Sequence, residues 1–76
     1  MNDDILEKIY QENLEERIIA YIAETKKLSY EEAMNIYYHS KLATKIYNGN
    51  YGVQYLDYKV LVDILLKTEP ELFRNA

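Results

Sequence analysis

The chain has 76 residues, no cysteine or tryptophan, nine tyrosines and a formal net charge of −4. That length holds one domain, residues 1–76, with a small core, and the lack of cysteine excludes a disulfide or a cysteine-ligated zinc site. The acidic balance disfavours nonspecific nucleic-acid binding, which draws its affinity from lysine and arginine contacts to phosphate.

Burial at about 25 cal/mol per Å² and ordering at roughly 1.5 kcal/mol per residue nearly cancel at this size, so a staple or a partner is expected. Disulfides are excluded, and one histidine with no His/carboxylate helical pair argues against a metal. Self-association remains, and a homodimer is the expectation. The start, Met1-Asn2-Asp3-Asp4, lacks the basic and apolar segments of a signal peptide. No apolar run approaches the ~20 residues that cross a bilayer. These features lead to an expectation of a cytoplasmic protein with no membrane partner.

In chain order, Asn2 or Asp3 can cap a first helix, with Asp4 and Glu7 near its positive end. Leu6, Tyr10, Leu14, Ile18 and Tyr21/Ile22 recur at helical spacing, flanked by Ile5, Ile9 and Ile19. One amphipathic helix over about residues 3–24 is predicted, although Asn13 followed by Glu16 leaves open a break near Gln11–Asn13. Unbroken, it is roughly 33 Å long, and part of its stripe then packs outside its own chain. Thr25-Lys26-Lys27-Leu28 connects it to the next element.

Ser29 and Glu32 form the S-x-x-E pattern of a reciprocal capping box, and Leu28 with Ala33 fits a hydrophobic staple. A second helix therefore starts at Tyr30 and reaches at least Tyr38. Leu42, Ala43 and Ile46 continue the spacing to Tyr47, either in one helix or with a kink at Ser40. This central segment is expected to be what the flanking helices pack on. Asn48-Gly49-Asn50-Tyr51-Gly52 ends it, with Gly49 suited to a left-handed cap. Residues 51–55 are expected to be loop, at most a short extended segment. Asp57 caps a last helix over about Tyr58–Lys67, and Leu56 can staple to Leu61. Val60, Leu61, Val62, Ile64, Leu65 and Leu66 make that helix apolar on nearly every side, so it is read as the core helix or a dimer seam. Pro70 stops it, and Glu71–Arg74 either docks as a last turn or frays. The fold class is all-α, a small bundle of three to five helices that dimerises.

Chemical signals are sparse. The tyrosines fit core-edge packing with the hydroxyl at water; a contact surface is the functional alternative. A base-stacking platform would want basic interleaving, which only Lys41, Lys45 and Lys59 offer. His39 beside Ser40 lacks the spatial arrangement and orienting carboxylate of a triad. Asp3, Asp4 and Glu7, or Glu12, Glu15 and Glu16, lack the alternating ligands and glycine of a calcium loop. No phosphate loop, nucleophile elbow or H-E-x-x-H occurs. The chain is expected not to be an enzyme and to carry no cofactor or metal.

The reading is a non-enzymatic protein-interaction or regulatory module working as a homodimer with an unidentified protein partner. Its interface residues are Leu6, Tyr10, Leu14, Tyr37, Tyr38, Val62 and Leu66. One alternative is a helix-turn-helix-like DNA binder using Lys41, Lys45 and Lys59, with helices at Tyr30–Tyr38 and Lys41–Tyr47; no arginine is present there to read guanine. Another is an acidic decoy for a nucleic-acid-binding protein, because residues 1–32 carry nine acids against four bases, a balance of −5, and residues 33–76 carry +1.

From Ile18 to Leu66 an apolar helix is followed by Ser29 to Ala33, Tyr37 with Ser40-Lys41-Leu42, Ile46, Gly52, Tyr55, Leu61 and Ile64-Leu65. This order resembles small bacterial domains of unknown function, some of which lie in accessory gene cassettes near toxin-like genes. The resemblance covers about two-thirds of the chain and brings no catalytic residues. It implies a small regulatory or antitoxin-like partner protein.

Overall fold

Asn2–Lys26 form one uninterrupted helix, because nothing in Gln11-Glu12-Asn13 breaks it and its second half buries a continuous apolar face. The structure, a computed structural model, describes residues 2–48 and 55–73, with backbone alone at residues 2–4 and 7. Among these residues α1 spans Asn2–Lys26, α2 Tyr30–Tyr38, α3 Lys41–Asn48 and α4 Tyr58–Thr68; a 3₁₀ turn follows at Pro70–Phe73. The described residues contain helices and no strands. The expected break near Asn13 does not occur, and Asn13 stays exposed within α1. The positions of Gly49 and Tyr51–Gln54 lie outside the described residues.

α1 ends by a left-handed residue. Lys27 has φ of 56°, and the Leu28 amide donates back to the Ala23 carbonyl at 2.9 Å. That six-to-one bond is a Schellman closure, which a residue other than glycine adopts against Cβ crowding. Two residues on, the capping box forms as expected. The Glu32 amide donates to Ser29 Oγ, and the Ser29 amide donates to Glu32 Oε1, both at 3.0 Å. These bonds hold the Glu32 carboxyl below the usual carboxylate range. Ala33 is buried and Leu28 packs against the same core.

The central segment is kinked, for a reason that lies in Ser40. Its hydroxyl donates to the Tyr37 carbonyl and accepts the Ala43 amide at 3.1 Å, so one buried side chain ends α2 and caps α3. α3 has only eight residues, too few to be stable alone. Side chains from distant elements hold both its ends. Glu69, beyond the end of α4, accepts the Lys41 and Leu42 amides at 2.9 and 3.3 Å. Gln11 Nε2 donates to the Ile46 carbonyl at 3.1 Å. Glu69 is 6% exposed; a carboxylate is tolerated there because it faces free amides at the positive end of a helix.

The core gathers Leu14, Ile18, Ile19 and Ile22 of α1, Ala33 and Tyr37 of α2, Leu42, Ala43 and Ile46 of α3, and Leu61, Val62 and Leu65 of α4. The main packing partner of both α2 and α4 is α1. The expectation that the central segment is the hub is therefore corrected: α1 contributes three side chains buried almost completely, Ile18, Ile19 and Ile22. The last helix also differs from its expected all-round burial. Leu61, Val62 and Leu65 are inside, while Val60 and Ile64 are 48% and 40% exposed. Asp57 caps α4 by accepting the Lys59 amide at 2.8 Å, yet Leu56 stays 45% exposed, which argues against a closed staple with Leu61. After Pro70 the chain docks, with Leu72 and Phe73 packed on the core and Lys26 Nζ 5.6 Å from the Phe73 ring centroid.

Candidate interaction surfaces

The apolar stripe on α1 winds around the helix. At 100° per residue, each four-residue step advances about 40°, so Leu6 and Ile22 differ by about 160° in direction. Only one end of such a stripe can face the bundle. Leu14, Ile18 and Ile22 are buried, whereas Leu6 is 62% and Tyr10 45% exposed. Ile5 and Ile9 sit on the side away from the core, 61% and 48% exposed; nine residues put Ile9 about 180° from Ile18. Tyr55 leans on this region, its ring centroid 5.9 Å from that of Tyr10. The first part of α1 thus carries a broad apolar surface that the described residues leave open.

The residues expected to form one interface separate into two groups. Leu6, Tyr10 and Tyr38 are exposed; Leu14, Tyr37 and Val62 are core residues, and Leu66 is half-buried against them. Leu14, Tyr37 and Val62 are thus already covered by their own chain, because they sit where α1, α2 and α4 converge. Periodicity could not separate the two groups, since it marks an apolar face and not what covers it.

A second feature lies between α1 and α2. Glu12, Glu15, Glu16 and Ile19 of α1 face Tyr30, Met34 and Tyr38 of α2 across an open cleft of about 460 Å³. Tyr37, beneath it, is fully buried and donates its hydroxyl to Glu15 Oε2 at 2.9 Å. Burial, reinforced by that carboxylate, pushes the Tyr37 phenol far above its ordinary range. Tyr38 is also raised, first by partial burial and then by the charges of Glu15 and Glu12 and the neighbouring Tyr30. The ion pair formed among the described residues is Lys67 with Asp63, at 3.0 Å on the outside of α4. The cleft carboxylates therefore have no basic side chain within 4 Å among those residues. The sequence contained these acids and tyrosines, but their meeting depends on how α2 folds back along α1.

The remaining candidates are dispersed. His39 is exposed, and its Nδ1 pairs at 2.7 Å with the Asn35 carbonyl of its own helix. Ser40 is committed to capping. Among the described residues no group of three or more metal-ligating side chains converges, and no helix is long and apolar enough to cross a membrane. Lys41 and Lys45 are exposed on α3, and Lys59 is on α4 with its Nζ 5.9 Å from the Tyr58 ring centroid. The N-terminus of α3, where a recognition helix would meet DNA, already holds the Glu69 carboxylate. Glu69 was missed in the sequence, where Glu-Pro signals only a helix end. The chain matches no protein-family model, and neither a known protein nor a solved structure shows a detectable relative.

Proposed function

We propose that the protein is a non-enzymatic interaction module that pairs with a second copy through the first part of α1. The observation that supports this is the open apolar face of Ile5, Leu6, Ile9 and Tyr10, exposed between 45% and 62%. With Tyr55, which packs on Tyr10, these side chains offer several hundred Å² of exposed surface, a substantial part of the ~800 Å² per partner of a standard interface. A second copy suits this face because two identical helix segments related by a two-fold axis cover each other's stripe. A 76-residue domain also needs added burial to be firmly stable.

Sedimentation equilibrium between about 1 and 100 μM tests the pairing, since mass action makes it concentration-dependent. A dimer at the upper end is expected. Leu6→Asp with Ile9→Asp should return it to a monomer of unchanged helicity. A fully stable monomer at ~100 μM would remove the proposal.

A further inference from the structure

A face of α2 carries Tyr30, Met34 and Tyr38 at four-residue spacing, so the three stand in line along one wall of the cleft. Tyr30 is 47% and Tyr38 57% exposed, far more than the core-edge tyrosines require. Met34, half-buried, gives the cleft its exposed apolar surface over the buried Ile19, while Glu12 and Glu16 line it from α1 opposite the rings. Carboxylates alone would describe a solvated helix face. Here they border an aromatic-lined cleft between two packed helices, the shape that receives side chains from a third helix.

Charge decides what kind of helix fits. The opening is acidic, and no cation among the described residues lies within ion-pair distance of Glu12, Glu15 or Glu16. A guanidinium suits both walls at once: its plane stacks on a tyrosine ring, and its edge donates two parallel bonds to a carboxylate. A second copy is a poor occupant, because the chain has only two arginines, Arg17 and Arg74, and is itself net acidic.

We propose that the cleft between α1 and α2 is a docking site for an arginine-bearing amphipathic helix of a partner protein. Its apolar side chains pack over Met34 and the exposed rings of Tyr30 and Tyr38, and its guanidinium groups lie between those rings and Glu12 or Glu16. The site shares no residue with the surface proposed for self-pairing but borders it, Glu12 and Glu16 following Ile5 and Ile9 along one side of α1; Leu6 points about 100° away from that side, so Leu6→Asp should preserve the site.

The test uses the full chain and a fluorescent helical peptide with leucines along one stripe and arginines bordering it, read by polarisation. Saturable one-to-one binding is expected, weakening as salt is raised. Glu12→Gln with Glu16→Gln, and separately Tyr38→Ala, should each weaken binding at least about tenfold. Glu24→Gln with Glu31→Gln removes the same charge elsewhere and should change it less than about twofold. All substituted side chains are exposed, and circular dichroism verifies that each variant folds. Equal losses from both charge pairs, or no loss from Tyr38→Ala, would overturn the proposal by showing unspecific attraction. Peptide that binds only by dissociating the dimer would overturn it too, because the occupied surface would then be the self-pairing face.

Discussion

Replacing Glu69 with alanine isolates the contact that joins the end of α4 to the start of α3. The carboxylate accepts two backbone amides, Lys41 at 2.9 Å and Leu42 at 3.3 Å, and is almost wholly buried. A hydrogen bond to a charged group contributes roughly 1.5–3 kcal/mol, and the longer of these two belongs at the weak end. The favourable placement of a negative charge at a helix N-terminus adds about 0.3–1 kcal/mol. Against this stands the desolvation of the carboxylate itself, which the variant no longer suffers. The net loss should be about 2–4 kcal/mol. At about 4–8 °C per kcal/mol for a domain this size, the midpoint should fall by roughly 8–32 °C. Thermal and urea unfolding followed by far-UV circular dichroism, at one fixed protein concentration, measure it. Glu69→Gln keeps the volume and one acceptor and should fall between the two. A loss under about 0.5 kcal/mol for alanine, or none for glutamine, would refute the reasoning.

Two further perturbations probe single contacts. Lys27→Gly relieves a left-handed residue, and after allowing for the greater freedom of glycine when unfolded it should stabilise by about 0.5–1 kcal/mol, measured by urea unfolding. Tyr37→Phe removes the hydroxyl that donates to Glu15 and should cost about 1–3 kcal/mol near neutrality. Its pH dependence follows from the raised phenol: above pH ~10 the unfolded chain loses a proton that the folded one keeps, so stability falls as pH rises, by at most about 1.4 kcal/mol per unit. The phenylalanine variant should lose stability more gently over pH 10–11 in the same unfolding assay.

How much of this was legible in the sequence depended on the distance over which each interaction acts. Ser29 and Glu32 are three residues apart, and their reciprocal bonds were readable because the backbone between them fixes the geometry. The span of α2 followed directly. Ser40 was ambiguous because both flanks favour helix; that its hydroxyl bonds Tyr37 and Ala43 at once depends on burial, which spacing does not record. Glu69 and Glu15 were opaque for a different reason. Their partners lie 27, 28 and 22 residues away and meet only after the helices have packed. The α1 stripe was recognised, but four-residue counting hid its drift, and with it the separation of Leu14 from Leu6 and Tyr10.

That drift divides one helix between two selective demands. Side chains near residue 18 answer to internal packing, where the loss of a single methylene is felt. Those of Ile5, Leu6 and Ile9 face outward and carry little of the domain's own stability. The outward end can therefore exchange one apolar shape for another, or acquire charge, while the rest of the chain keeps its fold. A surface placed in this way can be remodelled one substitution at a time without unfolding the domain.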